Sequence, residues 1–335
     1  MDFDFLKNTV KRQQILYWQE EIPAAAQQNV SLHIAYGIDD NFVMPMGIAI
    51  LSIIENNRQE NFVFHVLTEE LSENSIQLLA HIAKQQKTMI CIHYIDSAIF
   101  EKLPSTDHFT KATYNRFLLP KVLQGITQRV IYLDADILCL GAISGLKMLD
   151  FAGKTAAVVQ DIGPVAQRQV RKLGLKSPRY FNAGFLYIDI DRWEEQQISE
   201  KALEFSFANL GKLNWLDQDA LNVVLEDKTR FIEECYDYIF DFGLPENAAV
   251  TALPEGTVFV HYAGRYKPWQ QWCMHPLRQD FLNYRQLSPW ADKPLLQPRN
   301  YKDMKKMAHS YRKTGEFFES LCWYAKYAWH KLKAI

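Results

Sequence analysis

Short β-prone runs alternate with helical stretches through the first hundred residues, and no other feature of this chain restricts its fold so strongly. Ser31–Tyr36 (SLHIAY), Asn61–Thr68 (NFVFHVLT) and Met89–Ile95 (MICIHYI) read as strands. Between them, Met44–Asn57 and Glu73–Gln86 carry helical patterns, the second capped by Ser72. Strands joined through helices of that length lie parallel, with helices on both faces of the sheet. Ala112–Leu123 reads as a further helix, and the wholly apolar core of Arg129–Leu133 (RVIYL) as a strand buried on both faces. Ala156–Gln160, Phe185–Ile190 and Thr257–Val260 read as later strands and Asp217–Leu225 as a helix. Residues 1–30, polar and Gln-rich, read as a helical or irregular lead-in. Past Pro289 the strand-like runs stop. The expected layout is therefore a lead-in over 1–30, one α/β domain over 31–289 and a basic, aromatic helical tail over 290–335.

Charge and cysteine usage narrow the field. With 37 basic and 39 acidic residues the chain has no overall attraction for nucleic acid. Five cysteines, scattered and never in C-x-x-C spacing, predict reduced thiols in a cytosolic protein, with neither a disulfide frame nor a zinc site. Residues 1–20 hold no apolar run long enough for a signal peptide, and no stretch approaches the roughly 20 apolar residues of a spanning helix, so the chain is expected to stay inside the cell.

Ligands of such sheets sit at the carboxyl ends of the strands, and the chain's most unusual residues collect at those ends. Asp134-Ala135-Asp136 closes the buried strand Arg129–Leu133. If the strand continues, both carboxylates point to one side, where they repel unless a cation lies between them. A hard divalent ion, Mg²⁺ or Mn²⁺, resolves that conflict and leaves positions for phosphate oxygens; a solvated acidic strand end is the plain alternative. His261 follows the last expected strand and opens His261-Tyr262-Ala263-Gly264-Arg265-Tyr266-Lys267. It can complete a metal shell or be a structural histidine, while Gly264 admits close backbone approach and Lys267, in an expected solvent-facing loop, can neutralise a diphosphate. After the first strand, Gly37-Ile38-Asp39-Asp40-Asn41-Phe42 offers groups for a base edge and a ring to stack on it, or an ordinary Asp-Asn turn. Phe181-Asn182-Ala183-Gly184 suits sugar hydroxyls or a tight turn. Asp217-Gln218-Asp219 opens a helix, where Asp217 can be an N-cap or, with Asp219, a sugar contact. Arg116 reads either as a ligand of the site or as a surface ion-pair residue.

These motifs, in this order, resemble the retaining glycosyltransferases of family 8, and among them the bacterial enzymes that build lipopolysaccharide core oligosaccharide from UDP-galactose or UDP-glucose. The resemblance covers roughly residues 30 to 290. It implies a nucleotide-diphospho-sugar transferase (GT-A, Rossmann-like) fold with a C-terminal helical tail. It also implies that Gly37, Ile38, Asp39, Asn41 and Phe42 bind uridine, that Arg116 reaches the donor, and that Asp134, Asp136 and His261 hold Mn²⁺ or Mg²⁺. Asp134 and Ala135 would lie near the ribose, Asn182, Ala183, Gly184 and Asp161 at the transferred hexose, and Asp217 and Gln218 beside the reacting carbon. Gly264 and Lys267 would meet the diphosphate. The implied donor is a UDP-hexose and the implied acceptor the lipopolysaccharide core, joined through an α-linkage. A self-glucosylating primer of the glycogenin kind and a catalytically silent UDP-sugar-binding module are the competing readings.

The tail has its own character. Residues 300–335 hold eight Lys/Arg and three acids, a difference of +5 in a chain of net charge −2. At helical spacing Phe318, Leu321, Ala325, Ala328 and Leu332 form one stripe, flanked by Phe317 and Trp329. Aromatics mixed with lysines suit an anionic inner-membrane surface. The expectation is a cytoplasmic protein held peripherally on that membrane by its tail; a helix docked on the domain is the alternative.

Overall fold

A computed structural model describes residues 9–16, 31–105 and 110–333. The chain divides into two compact units, one of 1–239 with 256–261 and one of 240–255 with 262–335.

The first unit is built on an eight-stranded sheet. Its strands are β1 (Val10–Leu16), β2 (Ser31–Gly37), β3 (Asn61–Thr68), β4 (Met89–Ile95), β5 (Arg129–Leu133), β7 (Ala156–Gln160), β8 (Phe181–Asp189) and β9 (Thr229–Phe231), in the order β1-β4-β3-β2-β5-β8-β7-β9. β6 (Ile137–Cys139), β10 (Tyr238–Ile239) and β11 (Phe259–His261) form a small second sheet, ordered β10-β11-β6. β4, β3, β2 and β5 are parallel, as their helical connections require. The sheet is nevertheless mixed, because β8 runs antiparallel between β5 and β7 and β1 runs antiparallel to β4. Strand β1 falls in the stretch expected to be helical or irregular. Its sequence VKRQQIL is an edge-strand sequence, largely exposed, and so lacks the apolar run that marks the buried strands. The other lead-in residues lie outside the described ones.

Chain order reverses between β2 and β5. The chain steps outward from β2 through β3 to β4, then returns to place β5 on β2's other side. That switch point opens a crevice at the strands' carboxyl ends. Ala35 of β2 pairs with Tyr132 of β5, so Gly37 and Asp134 lie at one level of that edge. The core on one face gathers Phe117, Leu118, Tyr132, Leu186, Trp193, Leu203 and Leu221 around β5 and β8.

The second unit is mainly helical in its described residues, with helices Gln279–Gln286, Tyr301–Lys313 and Phe317–Lys333. Buried Trp269, Trp272, Phe281, Trp290 and Met307 supply its core. The last two helices form an antiparallel hairpin. Ser320 Oγ donates to Ala308 O at 2.8 Å, and the Tyr301 and Tyr327 rings meet 6.2 Å apart. Among the described residues no helix is long and apolar enough to cross a membrane.

Candidate active site

Asp134, Ala135 and Asp136 form a turn between β5 and β6, so β5 does not continue through them. The turn is closed by Ile137 N–H donating to Asp134 O at 3.1 Å, and its start is held by Asp134 N–H donating to Gly184 O at 2.8 Å. His261 is the last residue of β11, within the strand instead of after it, and pairs opposite Ile137. The turn and the two-strand contact together bring Asp134, Asp136 and His261 into one cluster whose donor atoms lie within 4.8 Å of one another. His261 Nε2 is 3.4 Å from Asp136 Oδ1, and Nδ1 is 3.1 Å from Asp237 Oδ1. Burial works against a charged imidazole there, but Asp136 and Asp237 on either side raise its pKa well above the usual value. Asp237, wholly buried, is itself pushed upward by burial. It accepts a hydrogen bond from Nδ1–H and so turns Nε2 toward Asp136, as carboxylates orient histidines in metal sites. The sequence reading missed Asp237; its only signal is a carboxylate placed ahead of a two-residue strand.

Arg116 is no surface residue. It is 5% exposed, between Asp134 Oδ1 at 2.8 Å from Nη2 and Asp217 Oδ2 at 3.0 Å from Nε. Nη1 donates to the Ala183 carbonyl, and the guanidinium lies 4.5 Å over the Tyr132 ring. Burial opposes the charge, yet Asp134 and Asp217 hold it firmly protonated. Tyr132 OH also donates to Asp134 Oδ1, at 2.8 Å. Both of these bonds to the Asp134 side chain fall on one oxygen, leaving the carboxylate oriented by its back. Asp217 accepts from Thr113 Oγ1 at 2.7 Å, and burial lifts its pKa to about 6 despite Arg116.

The Asn182-Ala183-Gly184 segment lies within β8, beyond the end of its pairing with β5. Between Val158 and Val159 the β7–β8 register jumps from Leu186 to Asn182, so a bulge takes residues 183–185 out of the pairing with β7, while Phe185 stays paired with Leu133 of β5. Gln218 locks this bulge. Its Oε1 accepts from Ala183 N–H at 2.9 Å, and its Nε2 donates to Asp161 Oδ2 at 2.8 Å and Tyr180 OH at 3.1 Å. Burial raises Asp161 to about 6, opposed by its bonds from Ile162 N–H and Gln218. Asp219, a candidate sugar contact in the sequence, is instead structural. It is wholly buried and takes hydrogen bonds from Gln169, Tyr180 OH and the Asn214 and Trp215 backbone.

In the β2 segment, Ile38 N–H donates to Leu67 O at 3.0 Å. Asp39 caps the following 3-10 turn Asp40–Phe42 by accepting from Asn41 N–H at 2.9 Å. Asn41 is exposed and Phe42 half-buried. The Asp-Asn turn is thus present at the crevice edge, with the Asn41 side chain outward.

Gly264 and Lys267 belong to the second unit. Gly264 has φ +76°, and a Cβ there would stand 2.3 Å from Asp241 Oδ2. Lys267 is half-buried, not solvent-facing, and its Nζ donates to Tyr262 O at 2.7 Å.

Comparison with known proteins places this geometry. Residues 33–273 match glycosyl transferase family 8, and residues 275–331 match glycosyl transferase family 8 C-terminal. The lipopolysaccharide 1,3-galactosyltransferase of Salmonella typhimurium is 34% identical over 331 residues, covering 94% of this chain and 98% of that protein. The lipopolysaccharide glucosyltransferase WaaO of Escherichia coli is 32% identical, over 91% of this chain and 93% of its own. Among solved structures, galactosyltransferase LgtC in complex with donor and acceptor sugar analogs shares the fold. The TM-score is 0.67 at 22% identity, over 78% of this chain and 99% of that one. The expected GT-A fold is therefore present, and the chain belongs to glycosyl transferase family 8: it is a glycosyltransferase.

Proposed function

We propose that the chain is a retaining hexosyltransferase that moves galactose or glucose from a UDP-sugar onto a lipopolysaccharide core oligosaccharide, forming an α-linkage. The observation that carries this reading is the convergence of Asp134, Asp136 and His261 within 4.8 Å at the switch-point edge of the sheet. Names of relatives over nearly the whole chain support the acceptor and the hexose. Two carboxylates and an imidazole, the latter oriented by Asp237, fit Mn²⁺ or Mg²⁺. An ion held there would supply charge neutralisation to the departing diphosphate.

The chain's own residues have distinct tasks. The Gly37, Ile38, Asp39, Asn41 and Phe42 segment receives uridine, with Ala135 toward the ribose. Arg116 fixes Asp134 and Asp217 and joins them to the Ala183 carbonyl, so the metal-binding and hexose-binding parts of the site move as one body. Asn182, Ala183, Gly184 and Asp161 face the hexose. For Gly264 and Lys267 the support is the sequence match alone.

Two routes retain configuration. Double displacement needs an oxygen nucleophile beneath the sugar. The Gln218 amide oxygen is tied to Ala183 N–H, and the two Asp217 oxygens face Thr113 and Arg116. These bonds favour same-face return. In that route the acceptor hydroxyl oxygen bonds to the anomeric carbon as the bond to UDP breaks, and the leaving phosphate takes the proton.

The test is a panel of UDP-glucose, UDP-galactose and UDP-N-acetylglucosamine against lipopolysaccharide from truncated-core strains, with and without EDTA. Transfer of one hexose that stops in EDTA and returns with Mn²⁺ is expected. Asp136→Asn should abolish that turnover while preserving the fold. Undiminished activity in EDTA would remove the metal assignment for Asp134, Asp136 and His261 together.

A further inference from the structure

The connector between β7 and β8 leaves the site and returns to it. It departs after Asp161, and Asp161 N–H donates back to Tyr180 O at 3.0 Å, closing the excursion at its base. Both closing residues touch Gln218. The helix Gly163–Leu173 within it turns Ala166 and Gln169 inward, and Gln169 Nε2 donates to buried Asp219 at 2.7 Å. Gly174, in the left-handed region at φ 67°, ends the helix.

Every charged residue of the connector is cationic. From Ile162 to Tyr180 there are five basic residues, Arg168, Arg171, Lys172, Lys176 and Arg179, and no acid, a charge of +5 − 0 = +5. All five are exposed. Lys172 Nζ donates to Lys212 O and Asn214 Oδ1, both at 2.6 Å, and Arg179 stacks 4.8 Å over the Phe231 ring. Glu226 approaches from behind but accepts from the Lys176 and Ser177 backbone N–H groups. Among the described residues none of the five cations forms an ion pair. Five like charges within twelve residues repel one another and lower stability unless an anion accompanies them. None of the large exposed apolar residues falls in this connector, unlike the C-terminal helix. A bilayer surface rewards cations mixed with apolar groups; cations alone, a few residues from the hexose pocket, suit a hydrated polyanion.

We propose that this connector, through Arg168, Arg171 and Lys176, is an anion-binding platform for phosphate groups carried on the acceptor saccharide. The inference rests on the acceptor being a saccharide, as in the reading above, and adds the chemistry that selects it. The platform should draw phosphorylated acceptor to the site and hold it there, with little effect on the donor.

The experiment uses the full chain and its Arg168→Gln, Arg171→Gln, Lys176→Gln triple variant. The acceptor is core oligosaccharide released from lipopolysaccharide, used as isolated and after phosphatase treatment. The expected result is a KM for the phosphorylated acceptor raised about tenfold or more in the variant. KM for the phosphatase-treated acceptor, and hydrolysis of UDP-hexose without acceptor, should stay as in the parent. Added salt should weaken the parent more than the variant. A parent that treats the two acceptors alike, or a variant with unchanged KM, overturns the platform. Unchanged KM with lost binding to phosphatidylglycerol vesicles overturns it too, and assigns the cations to lipid. If the parent hydrolyses UDP-hexose but transfers to neither acceptor, the acceptor reading has failed by itself. Calorimetric binding of the phosphorylated oligosaccharide then decides the platform, and equal affinity for parent and variant would sink it.

Discussion

A methyl group on Gly184 would stand 2.5 Å from His261 Cε1 and 2.9 Å from Nδ1, closer than packed carbon and nitrogen atoms approach. Gly184 also accepts the Asp134 N–H through its carbonyl, so one residue sets the distance between the turn and the imidazole. Gly184→Ala should therefore displace the His261 ring, weaken Mn²⁺ binding about tenfold or more, as loss of an orienting contact does, and leave the sheet folded. Calorimetric titration with Mn²⁺ beside a circular dichroism spectrum checks both halves. At Lys267 charge matters more than shape. A cation acting on the departing diphosphate gains strength as charge develops, so it lowers the barrier more than it tightens donor binding. Lys267→Ala should cut kcat by roughly a hundredfold. It should also lose about 1 kcal/mol of stability, because the Tyr262 carbonyl loses its Nζ donor. A raised KM at normal kcat would mean that the lysine binds donor uniformly, and no change in either would remove it from the reaction.

The C-terminal helix presents to solvent the stripe that its sequence spacing marks as apolar. Phe317, Phe318, Leu321, Trp329 and Leu332 are 65%, 75%, 68%, 60% and 72% exposed, while Lys326 and Lys333 lie over Trp323 and Trp329. Its opposite side, through Ser320 and Tyr327, meets the preceding helix. We propose that this stripe holds the enzyme peripherally on the anionic cytoplasmic face of the inner membrane. A cut at Asn300 would uncover Trp272, whose carbonyl accepts from Ser310 Oγ at 2.6 Å, so the sharper test is Phe318→Ser with Leu321→Ser. Binding to anionic vesicles should drop at least about tenfold, since each apolar side chain withdrawn is worth about 1.5 to 3 kcal/mol. Activity on a soluble acceptor and thermal stability should hold; loss of the fold would instead favour a helix docked on protein. Legibility in the sequence follows the same physics of burial. β3, β4, β5 and β7 appear in the structure at the expected residues because apolar runs mark strands buried on both faces. β1 is polar, and β6, β9 and β10 are two or three residues long, too short for any period to show. The site's acidic and His members were readable as residues at strand ends. Its supports, Tyr132, Tyr180, Thr113 and Asp237, were not, because side-chain hydrogen bonds that form only in the folded chain leave no periodic pattern in the sequence.

One feature runs across the first four strands of the sheet and belongs to the molecule as a whole. Gln13 Nε2 donates to His93 Nδ1 at 3.1 Å, His93 Nε2 to His65 Nδ1 at 3.0 Å, and His65 Nε2 to His33 Nδ1 at 2.9 Å. This single direction follows from the glutamine donor if every ring is neutral. All three rings are buried. Burial lowers His33 and His93 to about 4 and carries His65 well below its usual value, with His93 and His33 adding repulsion. In the unfolded chain the same rings take up protons near 6.5. Between about 6.5 and 4, then, the unfolded state holds more protons on these groups, and their contribution to stability is lost as the pH falls. Asp161 and Asp217, raised to about 6, act oppositely, since their folded forms protonate first. His261, raised, contributes stability below 6.5 that is lost at higher pH through its own folded value. Because these opposing groups mask one another in the intact chain, the ladder is isolated by comparison with His33→Gln, whose amide can still bond to His65 but does not titrate. The variant should be less stable than the parent at pH 7, for it gives up a packed ring. The gap should then close by about 1.4 kcal/mol for each pH unit between 6.5 and 4.5, one proton's worth. Urea unfolding at pH 7, 6 and 5 measures it. A gap that stays constant would mean that His33 takes up its proton equally in both states, and the neutral ladder would have to be abandoned.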